Sequence, residues 1–297
     1  MFGFPVRYEE PLFRPPSEAH SAIVQATIGC AWNKCAFCDM YEGKTFRSRP
    51  IDEIDHDLKS LSQFMPEARK VFLADGNAFA LSYDRLVSIL SSVRKHFPSI
   101  RRVSAYALPS NVLSKQHEEL VHLREMGLSL LYLGVESGDD DVLRAVNKSE
   151  TRATIREGIA KAHAAGLDTS VMIITGLGGA EYSEQHALMS AQLVSELSPK
   201  YLSTLTLFLP RGLDDYLHRF KGRFVQQSTV ELLHELRLFV SHLTMSGCIF
   251  RSNHVSNTLR LEGIVSRDNP KLLAMMDDVI ASEELEPTAR FSPYYGY

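Results

Sequence analysis

The chain has 297 residues, of which 44% are hydrophobic and 23% are charged, and its formal net charge is -4. This composition predicts a soluble globular protein with a substantial core, and the length suits one α/β barrel. The lack of a basic excess argues against a nucleic-acid partner, and no run of about 18 apolar residues predicts a membrane-spanning helix.

Apolar, β-branched runs alternate with amphipathic helical runs along the chain. Strands are predicted at 22–28, 71–74, 102–108, 129–135, 169–175, 201–209 and 248–250. Apolar residues recur every three or four positions within 51–64, 86–93, 120–126, 155–162, 232–243 and 272–280, the spacing of helices that bury one face. The sequence therefore predicts repeated strand–helix units.

Local signals mark where several of these helices begin and end. Ser82 is placed to cap one helix, and Ser228 with Glu231 has the spacing of a capping box. Gly127 and Gly166 follow two other helices, where glycine commonly ends the last turn. These residues fix the boundaries of four predicted helices.

Repeated strand–helix units predict a parallel sheet with right-handed crossovers. Six units followed by a short seventh strand predict an α/β fold, a partial (β/α)6 TIM-like barrel of parallel strands with a short C-terminal extension. We expect an N-terminal arm at 1–20, the barrel at 21–212, and a helical extension with an extra strand at 213–297. Four cysteines without an apolar signal segment predict a reducing, cytoplasmic location.

Four unusual motifs follow predicted strands, at the edge where α/β folds place their sites. A cysteine-rich loop, TIGCAWNKCAFCDMY, follows the first strand. The second, fourth and fifth strands end in ADGNA, GVESG and TGLGG. Their common position predicts that they build one site.

The cysteine loop places Cys30, Cys35 and Cys38 within nine residues. A structural zinc site would need a fourth ligand such as His56 or Cys248. A plant-type [2Fe–2S] centre, whose spacing this loop shares, would also need Cys248. A [4Fe–4S] cluster held by three thiolates would need no fourth residue and would leave one iron open. The pattern of the whole chain favours this third interpretation.

The sequence resembles the radical S-adenosylmethionine (SAM) superfamily over about residues 20 to 210. The resemblance rests on the cysteine loop with Phe37 between its last two cysteines, and on FLADGNA, YLGVESGDDDVLRAVNK and MIITGLGG. Segment 35–50 looks like the cluster loop of the methylthiotransferase-like branch. The C-x4-C-x2-C spacing has one residue more in its first gap than the commonest family motif.

The resemblance implies two cofactors, a [4Fe–4S] cluster and SAM. Cys30, Cys35 and Cys38 would bind three irons, and the fourth iron would take the amino and carboxylate groups of SAM. Reductive cleavage would give a 5′-deoxyadenosyl radical that abstracts a hydrogen atom from an unidentified substrate. The implied partners are a small-molecule or peptide substrate and an external electron donor such as flavodoxin or ferredoxin, with no membrane or nucleic acid.

By the same resemblance, the residues that contact the cluster or SAM are Phe37, Arg47, Arg49, Asp75, Gly76, Asn77, Ser104, Glu136, Ser137 and Gly176. Asp75 and the carbonyls of its turn would accept hydrogen bonds from the amino group of SAM, and Glu136 from the ribose hydroxyls. Gly176 would let the adenosine approach, while Arg47 and Arg49 would neutralise a carboxylate. The Asp-Gly-Asn run alone fits an ordinary turn better, and its position after a strand favours the ligand. The position of Glu136 favours the ribose over a helix-start Glu, and the two arginines fit solvated surface charges equally.

Two residues are candidates for a catalytic role, Tyr106 on the third strand and Cys248 at the seventh. Arg251, Asn253 and His254 follow Cys248 in a polar run that would bind substrate at the rim of the site. The same residues also fit a core tyrosine, a buried thiol and a polar surface loop.

Two further classes of function stay open. The chain would be a non-catalytic iron–sulfur or cofactor carrier on this barrel, or a zinc-stabilised α/β enzyme of another kind. With one cysteine outside the triad, we expect no second cluster, which argues against sulfur-insertion chemistry.

Overall fold

The computed structural model describes residues 5–282, in which strands alternate with helices. The strands are β1 (Ala22–Gln25), β2 (Thr27–Ile28), β3 (Arg47–Ser48), β4 (Lys70–Ala74), β5 (Arg102–Ala107), β6 (Leu128–Glu136), β7 (Asp168–Thr175), β8 (Tyr201–Thr206), β9 (Ile249–Ser252) and β10 (Leu261–Ile264). The helices are α1 (Ile51–Phe64), α2 (Tyr83–His96), α3 (Pro109–Leu113), α4 (His117–Glu125), α5 (Asp140–Ala145), α6 (Arg152–Ala164), α7 (Gly179–Leu197), α8 (Leu213–Arg219), α9 (Thr229–Ser241) and α10 (Asn269–Ser282).

The described residues form two compact units. The first unit contains residues 5–33, 40–133 and 157–169, and the second contains 34–39, 134–156 and 170–282. Residues 1–4 of the predicted arm and 283–297 of the predicted extension lie outside the described residues. None of the helices within residues 5–282 combines the length and apolarity that a membrane crossing requires.

The first unit is built on parallel strands in the order β1-β4-β5-β6. Val71 of β4 stands in register with Ala22 of β1 and with Val103 of β5. The successive residues Val71, Phe72 and Leu73 are all fully buried, so both faces of β4 are covered. This double burial explains the continuous apolar runs by which the strands are recognised in the sequence.

The second unit carries β7, β8 and β9 in parallel, and β10 runs antiparallel to β9. Helix α9 packs against both α7 and α10. The strand order and the helices between the strands position the ends of β6 and β7, where two of the predicted motifs lie.

The local boundary signals are confirmed. The Ser82 side chain accepts a hydrogen bond from the Arg85 N–H at the start of α2, and Ser228 and Glu231 form a reciprocal capping box on α9. Gly127 (φ +103°) and Gly166 (φ +77°) follow α4 and α6 in the left-handed region. These helix ends could be predicted because capping involves only residues that are neighbours in the sequence.

Several details differ from the predicted elements, which also lack β3, α3, α5, α7 and α8. The first predicted strand breaks after Gln25, because Thr27 and Ile28 leave to pair with β3. The sixth ends at Thr206, whose N–H donates to the side chain of Asn257 at 2.7 Å. Strand β10 is absent from the prediction, because Leu261–Ile264 contains a glycine and a glutamate and lacks an apolar run.

Candidate cofactor site

The cysteine loop is divided between the two units, with Cys30 in the first and with Cys35 and Cys38 in the second. All three residues are partly exposed, and none of the four cysteines forms a disulfide in residues 5–282. No three His, Cys, Asp or Glu side chains among the described residues are gathered as a ready-made metal site. The fit of a cluster therefore rests on donor chemistry, since accessible, unbridged thiols are the ligands that iron–sulfur clusters take. Ligation by the triad stays a prediction.

Hydrogen bonds to its main chain hold segment 34–39 of this loop in the second unit. The Asn147 side chain donates to the Lys34 carbonyl at 3.0 Å, and Arg219 Nη2 donates to the Cys35 carbonyl at 2.8 Å. The Ala36 N–H donates to the Val146 carbonyl at 2.8 Å. Three successive residues are thus anchored through their main chain.

Apolar contacts support the same segment. Ala36 is buried and Phe37 packs against a group of side chains that we call the loop platform, namely Val142, Ala145, Val146, Ile174, Leu177, Tyr216, Phe220 and Phe224. Phe37 therefore has an observed packing role beside its predicted role near the cofactor.

The turn after β4 holds a buried acidic group. Asp75 Oδ2 accepts hydrogen bonds from Lys44 Nζ at 2.9 Å and from the Gly29 N–H at 3.1 Å. Burial raises the pKa of the Asp75 carboxyl, and the hydrogen bond from Lys44 opposes that rise. Asp75 Oδ1 is buried without a hydrogen-bond partner among the described residues. One oxygen is thus engaged by the protein and the other is available to a ligand.

The next two residues of the turn are equally restricted. A Cβ atom added at Gly76 would lie 2.3 Å from the ring of Tyr41, so only glycine fits there. The Asn77 side chain is fully buried, and neither its oxygen nor its nitrogen has a hydrogen-bond partner within residues 5–282. Because buried polar atoms are rarely left unpaired, unpartnered acceptors on Asp75 and Asn77 fit the ammonium group of a ligand.

A second buried carboxylate lies at the end of β6. Glu136 adopts φ +68°, and its Oε1 accepts a hydrogen bond from Lys148 Nζ at 3.1 Å. A Cβ atom at Gly134 would lie 2.0 Å from Glu136 Oε1, so glycine makes room for the carboxylate. Glu136 Oε2 is buried and lacks a partner in the part of the chain that the structure describes. This free acceptor fits a hydroxyl donor such as that of a ribose.

Ser137 and Gly176 are linked by a buried polar network. The Ser137 hydroxyl lies 2.8 Å from His186 Nδ1, and His186 Nε2 lies 3.0 Å from the Ile174 carbonyl. Because a carbonyl only accepts, Nε2 of His186 carries a hydrogen and donates it to Ile174. The Gly176 N–H donates to Glu235 Oε1 at 2.6 Å. The ends of β6 and β7 are thereby tied to helices α7 and α9.

The other predicted contacts in the first unit are engaged within the protein. Ser104 donates to Glu18 at 3.1 Å, and the Tyr106 ring lies edge-on to Phe72 with centroids 5.1 Å apart.

The two predicted arginines already form ion pairs. Arg47 pairs with Glu9, and Arg49 pairs with Asp57 at 2.6 Å and with Glu53 at 3.2 Å. Either arginine would have to break its ion pairs with these carboxylates before it could bind the carboxylate of a ligand.

The predicted residues near β9 have varied surroundings. Cys248 is buried, and burial raises the pKa of its thiol to about 12, so the thiol is protonated at neutral pH. The Arg251 guanidinium lies over the Tyr201 ring at 5.8 Å, His254 Nδ1 lies 2.8 Å from the Ser256 hydroxyl, and Asn253 is exposed. The protonated, buried thiol favours a packing role for Cys248.

Comparison with known proteins identifies the class. The family model of the radical SAM superfamily matches residues 24–190, so the chain belongs to this superfamily. The chain is 23% identical over 199 residues to the heme chaperone HemW of Bacillus subtilis (strain 168), which covers 64% of this chain and 51% of HemW. It therefore spans about half the length of that curated relative.

Two solved structures share the fold. Coproporphyrinogen III oxidase (HemN) from Escherichia coli matches with a TM-score of 0.55 and 20% identity over 74% of this chain and 52% of that one. Methylornithine synthase (PylB) matches with a TM-score of 0.52 and 16% identity over 89% of this chain and 82% of that one. Together with the mostly parallel strands, they confirm the predicted fold class, a partial TIM-like barrel. The predicted cofactors, a [4Fe–4S] cluster and SAM, are those of the superfamily.

Several residues of the site were missed by the sequence analysis. Lys44, Lys148, Arg219, His186 and Glu235 all contact predicted site residues or their loop. Lys148 ends the motif YLGVESGDDDVLRAVNK, so its position was a usable signal. Lys44 lies within segment 35–50, while the other three stand outside every motif and become visible only through contacts distant in the sequence.

Proposed function

We propose that this chain is a catalytic radical SAM enzyme whose cluster is held by Cys30, Cys35 and Cys38. The observation that supports this most strongly is the set of buried acceptors without partners in residues 5–282, on Asp75, Asn77 and Glu136. A buried polar atom left unpaired costs about 1–3 kcal/mol, so such atoms are typical of positions that a ligand satisfies. They occur at the motifs where the family resemblance expects SAM.

Cys30, Cys35 and Cys38 would hold the cluster, and when reduced it would supply the one electron needed to cleave SAM to methionine and a 5′-deoxyadenosyl radical, which would become 5′-deoxyadenosine by taking a hydrogen atom from substrate. The chain's own residues bind and orient the ligand. Asp75 and Asn77 accept hydrogen bonds from its amino group, and Glu136 accepts from its ribose. Lys44 pairs with Asp75 at 2.9 Å and Lys148 pairs with Glu136 at 3.1 Å, so each ammonium holds one oxygen of its carboxylate and leaves the other for the ligand.

The proposed partners follow from this chemistry. The electron comes from an external donor such as flavodoxin or ferredoxin, and the substrate is a small molecule or peptide. Arg251, Asn253 and His254 are the proposed substrate contacts. We also propose a cytoplasmic location and the division into arm, barrel and extension at 1–20, 21–212 and 213–297.

The test is the formation of 5′-deoxyadenosine. The protein is reconstituted with iron and sulfide without oxygen, then mixed with dithionite and SAM, and the nucleoside is measured by chromatography. Wild-type protein is expected to form it, and Cys38→Ala is expected to form none. Glu157→Gln, which changes an exposed carboxylate, serves as the matched control with wild-type yield. A wild-type protein with an intact cluster and no nucleoside would contradict the proposal.

A second candidate is a non-catalytic cofactor carrier, and the similarity to a heme chaperone is the observation that favours it. A carrier would keep its cluster, bind haem and pass it to a haem-free acceptor protein without cleaving SAM. The nucleoside assay above, followed by a haem titration of the same preparation, separates the two functions.

A further inference from the structure

Arg219 links the C-terminal region to the cysteine loop. It is the last residue of α8, and its Nη2 donates to the Cys35 carbonyl at 2.8 Å across 184 residues of sequence. Its other terminal nitrogen, Nη1, is buried, lies 3.7 Å from Asp215 Oδ2 and makes no hydrogen bond within the described residues. A guanidinium therefore stands beside the main chain of a predicted cluster ligand.

Helix α8 is held firmly, which fixes the position of this guanidinium. The Tyr216 hydroxyl donates to the Leu177 carbonyl at 2.7 Å, and the Tyr216 ring contacts Phe220 and Phe224 at centroid distances of 5.5 and 4.9 Å. The Lys221 N–H donates to the Ala145 carbonyl at 2.8 Å. These contacts belong to the loop platform, so Arg219 and segment 34–39 rest on the same apolar group.

The positive charge of Arg219 is only partly neutralised by the charged groups around it. Asp215, the acidic group beside it, is shared with Arg211 at 3.0 Å. Lys221 adds a second positive charge near the loop. Its Nζ donates to the Asn147 side chain, and that side chain donates to the Lys34 carbonyl. A guanidinium stays protonated at every accessible pH, so its charge is permanent.

We infer that Arg219 is a positioning residue for the cluster, an inference that rests on the proposed function. It fixes the main chain at Cys35, and it holds a positive charge beside the cluster. Reduction adds one negative charge to the cluster, so a nearby cation stabilises the reduced form and raises the reduction potential. Helix α8, which begins the predicted C-terminal extension, thus tunes the step in which the cluster accepts an electron.

The experiment compares Arg219→Gln, Arg219→Lys and Arg223→Gln with wild type. Arg223 is exposed and pairs only loosely with Glu181 at 3.8 Å, so Arg223→Gln makes the same charge change away from the loop. Reduction potentials of the reconstituted proteins are measured by titration with dithionite and redox mediators. We expect Arg219→Gln to make the one-electron reduction about tenfold less favourable, a potential about 59 mV lower. Arg219→Lys and Arg223→Gln should stay close to wild type.

A second measurement on the cluster-free proteins tests the positioning separately. Hydrogen exchange at the Ala36 and Cys38 amides should be faster in Arg219→Gln than in Arg223→Gln, because their bonds depend on the same loop conformation. Unchanged exchange together with a wild-type potential in Arg219→Gln would overturn the inference. A wild-type protein that takes up no iron–sulfur cluster would instead overturn the proposed function.

Discussion

Lys44 Nζ lies 2.9 Å from Asp75 Oδ2, and both side chains are almost completely buried. The same ammonium donates to the carbonyls of Glu9 and Pro11 at 2.6 and 2.7 Å. One lysine from the segment after the cysteine loop therefore joins the N-terminal residues to the acidic turn after β4. It compensates the charge of a carboxylate that would otherwise be isolated from water.

The first prediction concerns this pair. Lys44→Met leaves the Asp75 carboxylate buried and unpaired, so the cluster-free protein should lose about 3–5 kcal/mol of unfolding free energy, measured by urea denaturation. The double variant Lys44→Met/Asp75→Asn should recover part of that loss, because the unpaired charge is gone. A Lys44→Met protein as stable as wild type would show that the pair is unimportant for folding.

The second prediction concerns Asn77. Its buried amide makes no hydrogen bond within the described residues, so Asn77→Ala removes no side-chain hydrogen bond from that part of the folded protein. We expect a change in unfolding free energy below about 1 kcal/mol, together with clearly weaker SAM binding in calorimetry. A large loss of stability with unchanged SAM affinity would mean that the amide serves the fold.

The third prediction concerns Glu136. Glu136→Gln removes the charge of an acceptor proposed to bind ribose, and we expect SAM to dissociate about tenfold more readily, equivalent to about 1.4 kcal/mol. Equilibrium dialysis with labelled SAM measures this, with Glu157→Gln as the exposed control. Equal SAM affinities of Glu136→Gln and Glu157→Gln would show that Glu136 does not bind the ribose.

The fourth prediction concerns the pH dependence of stability. In the unfolded chain the Cys248 thiol ionises from about pH 9, whereas burial raises its folded pKa to about 12. Stability from the buried neutral thiol is therefore complete below about pH 9 and is lost as the pH rises towards 12. Unfolding free energies of wild type and Cys248→Ala should converge over this interval. A constant difference between them would contradict burial of the neutral thiol.

The residues that could be predicted are those whose signal is local. Ser82 and Gly127 mark helix ends through contacts with adjacent residues, while Asp75 directly follows the apolar strand β4 and Glu136 is the last residue of β6. Repetition of such signals is sufficient to predict the α/β class, because each strand–helix unit follows the same periodicity.

The contacts that could not be predicted join residues far apart in the chain. Arg219 reaches Cys35, and Glu235 reaches Gly176, in each case from a helix whose own sequence is ordinary. An arginine at the end of a helix or a glutamate on one is common on protein surfaces, so nothing in the pattern distinguishes these two. Their roles depend on how the helices pack.

The most direct test of the account is the metal and sulfide content of protein purified without oxygen. The three-thiolate [4Fe–4S] site predicts about four iron and four sulfide ions per chain and a brown colour, with cluster loss in a folded Cys35→Ala protein. A colourless wild-type protein with one zinc ion, or a full iron content in Cys35→Ala, would contradict the assignment of the triad.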